Sequence, residues 1–278
     1  MRTTDFFNEL RNALENLYSS GEASAMARML REARITANEL PETLPDHLEN
    51  RLNEDRERLL KGEPLQYLLG ESWFYGNRFH VGTGVLIPRP ETEELVDWML
   101  KDLDPSASKR ILDIGTGSGC IAVTLKKYRP SAWVSAIDIS ETALSFARRN
   151  AEALHTEIEI RLSDIGDRNS WQDLPDYDLI VSNPPYIPVN EAQLLHCNVT
   201  EYEPHTALFV PENDPLFFYR LIAAFAEKKA TPTGSIYLEV HQHFAEETRV
   251  LFLNQWKDVE LKKDMSGNWR MLRATRFR

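Results

Sequence analysis

From Thr4 onward, Phe6, Phe7, Leu10, Leu14 and Leu17 recur every three or four residues, a spacing that places them on one face of a helix. Thr3 or Thr4 is placed to cap that helix and Gly21 to stop it. A second helix is predicted over Glu22 to Arg34 through Met26, Met29, Leu30 and Ala33. A third begins after Pro45 with Asp46, Leu48, Leu52, Leu59 and Leu60 and ends before Gly62. The methionines read as core packing, and the charged run Glu54 to Arg58 reads as a solvated face. Residues 1–70 therefore form a small helical domain without a catalytic constellation, suited to recognition or support.

The pattern then changes. Trp73, Phe74, Tyr75 and Phe79 flank a Gly76-Asn77 pair, the chemistry of a hairpin turn, so residues 71–90 read as a β-hairpin linker. The linker ends in Pro88-Arg89-Pro90, a stiff connector that holds Arg89 extended ahead of a helix carrying Leu95, Val96, Met99 and Leu100. Over 91–278, apolar runs alternate with helical periodicity. Strands are predicted at Arg110 to Ile114, Trp133 to Ile137, Ile158 to Leu162, Asp178 to Ser182 and Ser235 to Val240. Helices are predicted at Cys120 to Tyr128, Glu141 to Ala153, Pro215 to Lys229 and Phe244 to Trp256. Such alternation predicts an α/β fold, a mostly parallel sheet covered by helices on both faces. Val259 to Lys263 and Trp269 to Thr275 add an antiparallel hairpin across Ser266-Gly267-Asn268, which brings the sheet to seven strands.

A length of 278 residues with 42% hydrophobic content is enough for one full α/β domain and a smaller one. The net charge of −11 argues against a protein that grips nucleic acid by neutralising phosphates, so stable nucleic-acid binding is not expected. Cys120 and Cys197 stand far apart with no CxxC or His-rich spacing, which points to free thiols and to no metal site. The amino terminus runs straight into an amphipathic helix, and no apolar stretch is long enough to span a bilayer. A cytoplasmic protein is expected.

Chemistry concentrates at the ends of the predicted strands. Asp113-Ile114-Gly115-Thr116-Gly117-Ser118-Gly119 follows the first strand and opens a helix, where glycines let backbone NH groups approach a ligand. Asp138 ends the second strand, about 20 positions on, where a carboxylate meets ribose hydroxyls. Either a nicotinamide cofactor or S-adenosyl-L-methionine can use that pair. The third glycine falls one place early for the dinucleotide pattern, which favours the smaller cofactor. After the third strand, Asp164 is placed to accept from an adenine amine and Ile165 to pack on the ring.

Asn183-Pro184-Pro185-Tyr186 closes the fourth strand. Proline has no NH, so the strand stops abruptly and leaves a rigid polar tip in the crevice outside the strand ends. Asn183 Oδ1 and the Pro184 carbonyl can each accept one hydrogen of a substrate NH2 group, while the Tyr186 ring covers a planar face. A bare strand-to-loop turn capped by Asn explains the same stretch equally well until the glycine loop, Asp138 and Asp164 are counted with it.

With these pieces in place, the sequence resembles the peptide chain release factor glutamine N5-methyltransferases, the HemK-like family. The resemblance covers nearly the whole chain. It rests on Glu63 to Tyr67 with Leu69-Gly70, on Val85 to Glu93, on Leu112 to Ala122, and on Val181 to Pro188. NPPY alone is shared with adenine-N6 DNA and some rRNA methyltransferases; the PRPETE stretch, Pro88 to Glu93, is the family's own mark, and Glu203-Pro204 with Ala207-Leu208 adds to it. The resemblance implies a Rossmann-like class I S-adenosylmethionine-dependent fold. It also implies methyl transfer to the side-chain amide of the Gln in a release factor's Gly-Gly-Gln motif. On matching positions, Gly115, Thr116, Gly117, Ser118, Gly119, Asp138, Asp164, Ile165 and Asn183 would hold the cofactor. Asn183, Pro184, Pro185 and Tyr186 would hold the glutamine, with Asn183, Pro184 and Tyr186 at the chemistry. The chain departs from the family pattern at Asn213-Asp214-Pro215-Leu216 and at His241, a histidine that reads as a polar surface residue in preference to a base. The expected partner is a release factor and the expected state a monomer. The alternatives are a nucleic-acid exocyclic-amine methyltransferase, acting on adenine N6 in DNA or guanine N2 in rRNA, and a non-catalytic adaptor.

Overall fold

A computed structural model describes residues 1–35 and 41–276. It divides into a unit of Met1–Glu71 with His196–Tyr202 and a unit of Ser72–Leu195 with Glu203–Arg278. In the first unit α1 (Thr3–Leu14), α2 (Ser20–Arg34), α3 (Asp46–Leu60) and α4 (Leu65–Leu69) bury Phe6, Leu10, Leu14, Leu30, Leu52 and Leu59 in a common core. The second helix begins earlier than the periodicity predicts. Ser19 accepts from the Glu22 amide while the Glu22 side chain accepts from the Ser19 amide, a reciprocal cap that starts α2 and places Gly21 inside its first turn. Thr3 likewise does not cap α1; it lies within the helix, and its hydroxyl donates to the Pro41 carbonyl. His196 stacks on Tyr18 with ring centroids 4.9 Å apart, and Tyr202 Oη donates to the Lys61 carbonyl at 3.0 Å, so this later segment completes the helical unit.

In the second unit β1 (Glu71–Phe74) and β2 (Asn77–His80) form a hairpin. Its turn is Tyr75-Gly76, at φ 49° and 70°, and not Gly76-Asn77. Then follow α5 (Pro90–Asp102), β3 (Arg110–Ile114), α6 (Cys120–Tyr128), β4 (Trp133–Asp138), α7 (Glu141–Ala153), β5 (Glu159–Leu162) and β6 (Tyr177–Ser182). Beyond β6 the chain passes through the short parallel pair β7 (Ile187–Pro188) and β8 (Phe209–Val210); between them in sequence lie α8 (Cys197–Tyr202), which belongs to the first unit, and α9 (His205–Leu208). Last come α10 (Phe217–Lys229), β9 (Ala230–Glu239), α11 (Ala245–Leu253), β10 (Asp258–Lys263) and β11 (Trp269–Thr275). The start of β9 at Ala230 escapes sequence reading because Thr231-Pro232-Thr233-Gly234 carries loop chemistry.

The seven-stranded sheet has the order β10-β11-β9-β6-β3-β4-β5. β9, β6, β3, β4 and β5 pair in parallel, and β11 pairs antiparallel to both β9 and β10. Apolar residues alternate between two cores. Leu112, Ile180 and Leu238 meet α10 and α11 on one face, while Ile111, Leu179, Val181 and Tyr237 meet α5 and α6 on the other. Burial of both faces explains why these strands read as unbroken apolar runs. Chain order turns back at β3, which lies between β4 and β6, so the crevice outside its carboxyl end is the topological switch point.

The charged run in α3 is not wholly solvated. Asp55 is 4% exposed, and Arg34 Nε donates to its Oδ2 at 2.7 Å. Removing one member of a buried pair strands the other without a partner. Asp55→Ala is therefore expected to destabilise the helical unit by about 3 kcal/mol, read from the urea midpoint at constant m-value.

Candidate active site

The parallel registers collect the site at one edge of the sheet. Ile114 lies opposite both Ile137 and Ser182, and Ser182 lies opposite Leu238. One step further along, the glycine loop, Asp138, Asn183 and Glu239 stand at neighbouring strand ends.

The glycine loop packs tightly onto the protein itself. The Gly115 and Thr116 amides donate to the Ile137 carbonyl at 2.9 and 3.0 Å, and the Gly119 amide donates to the Thr116 carbonyl at 2.9 Å. The Gly117 amide donates to Asp138 Oδ2 at 2.9 Å. Those amides are committed internally, and so are the Thr116, Ser118 and Gly119 carbonyls, which accept from the Gly119 amide, Asn150 Nδ2 and the Val123 amide. Gly117 has φ +58° and nothing within 4 Å of an added Cβ, which leaves the space over the loop free. At Gly119, with φ +80°, a Cβ would stand 3.1 Å from the Ala147 backbone, so that glycine also lets α6 close against α7.

Asp138 is the last residue of β4; its Oδ1 accepts from the Ser140 amide at 2.9 Å, and burial raises its pKa. Beside it Ile139 is 64% exposed, an apolar side chain turned outward that sequence reasoning missed. Asp164 is exposed and its Oδ1 accepts from the Gly166 amide at 2.7 Å. Ile165, expected to pack on the ring, is 9% exposed and belongs to the core cluster that holds Leu112 and Ile180. Of the two, only Ile139 has an exposed side chain.

Asp113 precedes the loop and is fully buried. Its Oδ2 accepts from Thr116 Oγ1 at 2.7 Å and from the Ala122 amide, while Oδ1 has no partner among the described residues. An orphaned buried acceptor suits a ligand that carries an ammonium group.

At the Asn183 end, an extended network joins residues far apart in sequence. Asn183 Nδ2 donates to Thr92 Oγ1 at 3.1 Å, and Thr92 Oγ1 donates to Glu239 Oε2 at 2.6 Å. Tyr186 Oη donates to Glu239 Oε1 at 2.9 Å. Thr92 sits in the first turn of α5, Glu239 closes β9, and both are buried. Burial, the Glu239 charge and the hydrogen bond keep the Tyr186 phenol protonated well above its ordinary range. Burial also raises the Glu239 carboxyl, against the pull of Thr92, Tyr186 and Arg270. Sequence reasoning passed over both Thr92 and Glu239. The signal for Thr92 was the Pro88 to Glu93 mark, which had a family meaning but no chemical one.

Arg89, extended at φ −107°, pairs with Glu203, which is 4% exposed and also accepts from the Ile87 amide at 3.0 Å. His241 is not a surface residue: it is 7% exposed. Its Nδ1 accepts from the His243 amide at 3.3 Å, so Nε2 carries the proton and donates to Glu191 at 3.2 Å. Burial lowers its pKa, and its amide donates to Tyr219 Oη. Asp214, in the other departing stretch, pairs with Arg220 at the start of α10. No cluster of side chains among the described residues has the composition of a metal site.

Comparisons with known proteins agree with this architecture. The model of the methyltransferase small domain family matches residues 92–199. The release factor glutamine methyltransferase of Bacteroides thetaiotaomicron is 47% identical over 79% of this chain and 78% of its own length. That of Enterococcus faecalis is 41% identical over 84% of this chain and 83% of its own. Among solved structures, a methyltransferase from Pyrococcus furiosus superposes with a TM-score of 0.52 at 16% identity, over 81% of this chain and 98% of that one. A Thermus thermophilus 16S rRNA N2 methyltransferase, solved with AdoMet and guanosine, gives 0.56 at 18% identity, over 74% and 50%. At these identities the structures speak for the fold, the mostly parallel class I methyltransferase sheet.

Burial pushes Asp113 up from 3.8 to about 7. A folded pKa above the unfolded one means that the folded state holds the proton more tightly. Stability from this group is therefore present at low pH and is lost as pH rises towards 7. Asp113→Asn, neutral throughout, is expected to melt progressively higher than the parent as pH rises from about 5 to 8 in the absence of cofactor. Thermal unfolding that shows the variant less stable at the upper end would mean that the fold prefers the carboxylate.

Proposed function

The chain belongs to the release factor glutamine methyltransferase family, and from that premise we propose that it methylates the side-chain amide nitrogen of the glutamine in a release factor's Gly-Gly-Gln motif, with S-adenosyl-L-methionine as cofactor. The observation that carries this reading is the Asn183 tip at the switch point, whose Nδ2 is bound to Thr92 and whose Oδ1 is left to accept.

An amide nitrogen is a poor nucleophile because its lone pair is delocalised into the carbonyl. Positioning must supply most of the catalysis. Asn183 Oδ1 and the Pro184 carbonyl each accept one hydrogen of the substrate NH2, and the Tyr186 ring, fixed through its hydroxyl by Glu239, bounds the planar amide. Pro185 keeps the tip rigid. S-adenosyl-L-methionine, when bound, supplies a methyl group on a positively charged sulfur. The residues present fit that group: Asp138 retains lone pairs for ribose hydroxyls beyond its amide partners, the space over Gly117 is open, and Asp113 Oδ1 awaits a cation. Thr116, Ser118 and Asp164 border the same edge, and Ile139 offers an apolar face. Because the methylated nitrogen loses its proton readily, water suffices as the acceptor and no strong base is needed at the tip.

The helical unit is assigned to docking the release factor, since a glutamine in a glycine loop offers little surface of its own and discrimination requires remote contacts. The enzyme acts as a monomer in the cytoplasm without stable nucleic-acid binding. In support, the net charge is −11, and no helix among the described residues is long and apolar enough to cross a membrane.

Methyl-labelled cofactor offered with a release factor, with the same factor carrying Gln→Ala in its Gly-Gly-Gln motif, and with DNA tests the assignment. Label is expected on the parent factor alone; label on DNA, or on the Gln→Ala factor at the parent rate, would overturn it. Asn183→Ala is expected to lower turnover by about 10²-fold with a much smaller change in cofactor affinity. Asp138→Ala is expected to do the reverse, weakening cofactor binding by about 1.5 to 3 kcal/mol in calorimetry.

A further inference from the structure

Asparagine is ambiguous as an acceptor. Its oxygen and nitrogen are nearly the same size, and a half-turn about the last side-chain bond exchanges them. An amide holder works only if the oxygen faces the substrate NH2. With the nitrogen there, two sets of donors would oppose each other and the substrate would be repelled.

The atoms around Asn183 remove that ambiguity by proton accounting. The charged form of Glu239, which the Thr92 and Tyr186 hydroxyls and the Arg270 charge favour against its burial, accepts and cannot donate. Glu239, 1% exposed, places Oε2 2.6 Å from Thr92 Oγ1, so the single hydroxyl proton of Thr92 is committed to Glu239. Thr92 is 2% exposed, and the side of its oxygen towards Asn183 presents only lone pairs. Only the NH2 of Asn183 can satisfy them, and it does so at 3.1 Å. The second carboxylate oxygen is occupied by Tyr186 Oη at 2.9 Å, so neither face of Glu239 is left to reorganise.

We infer that Glu239, acting through Thr92, is a positioning residue for methyl transfer: it fixes the Asn183 side chain with Oδ1 towards the acceptor nitrogen and thereby sets the site's preference for an NH2 group. Glu239 touches neither reacting atom. The geometry that delivers it is long-range, since Thr92 lies in α5 and Glu239 in β9, 147 positions apart. Pro90 at the first position of α5 fixes where that helix starts, and so where Thr92 points. The inference rests on the proposed glutamine substrate for its kinetic consequence, but not for its structural one.

The full-length chain carrying Thr92→Val keeps the shape of the side chain and loses the hydroxyl, and Thr92→Ser keeps the hydroxyl. With intact release factor, Thr92→Val is expected to lower kcat by about 10- to 100-fold. Its KM for the factor should stay near the parent value, and its cofactor affinity by calorimetry within about twofold of the parent. Thr92→Ser is expected to restore kcat to within about threefold. The side-chain amide signals of Asn183 in a 1H–15N spectrum, identified by their loss in Asn183→Ala, should move in Thr92→Val and stay close to the parent in Thr92→Ser. A Thr92→Val enzyme with parental kcat would overturn the inference. So would a loss of activity matched by loss of cofactor binding, or unmoved Asn183 signals. If the parent enzyme itself transfers no methyl to the release factor, the substrate assignment fails, and the Asn183 signals still decide the relay on their own.

Discussion

The site depends on parallel pairing. Because β4, β3, β6 and β9 run in the same direction and in matched register, the residues that end them fall side by side at one edge of the sheet. The pairing is held by burial of both faces: Ile111 and Leu112, Leu179 and Ile180, and Tyr237 and Leu238 point alternately into the two cores. A slip of one residue would send each of those side chains to the wrong core and also move Asn183 and Glu239 out of reach of Thr92. The apolar pattern that stabilises the sheet is thus the same pattern that aligns the chemistry.

Buried carboxylates do the second part of the work. Glu239 is fully partnered and serves as a fixed acceptor; Asp113 is half-partnered and keeps one oxygen without a partner among the described residues. An unpaired buried acceptor costs stability in the chain alone; under the proposed reading, a cationic cofactor beside Asp113 would offset that cost. Asp138 stands between these cases, satisfied by the amides of Gly117 and Ser140 yet with lone pairs remaining. The three groups are the same chemistry in different surroundings, and the surroundings set their roles.

Much of this was legible in the sequence because the signals were local. The apolar runs of β3 and β6, the glycine loop and the abrupt Pro-Pro stop after Asn183 each lie within a few residues, and the bounds Cys120–Tyr128 and Glu141–Ala153 follow directly from helical spacing. Local reading also failed locally, where stronger chemistry stood next to the residue chosen. Ser19 with Glu22 outranked Gly21, and the paired positive φ of Tyr75 and Gly76 took the hairpin turn from Gly76-Asn77. What could not be read was the partnering across the fold. Thr92 and Asn183 are 91 positions apart, Asp55 meets Arg34 from another helix, and His241 is covered by residues that no spacing rule connects to it. Ile165 follows Asp164 in sequence, and its side chain lies in the core.

The proposed reaction turns on one geometry, a substrate amide held by the acceptors of the Asn183 tip. A crystal structure of the chain with S-adenosylhomocysteine and a glutamine-containing peptide measures it directly. The glutamine nitrogen is expected within about 3 Å of both Asn183 Oδ1 and the Pro184 carbonyl, with Asn183 Nδ2 still on Thr92. A glutamine nitrogen bonded instead to Asp113, Glu191 or His241, or an Asn183 side chain turned with Nδ2 towards the substrate, would contradict it.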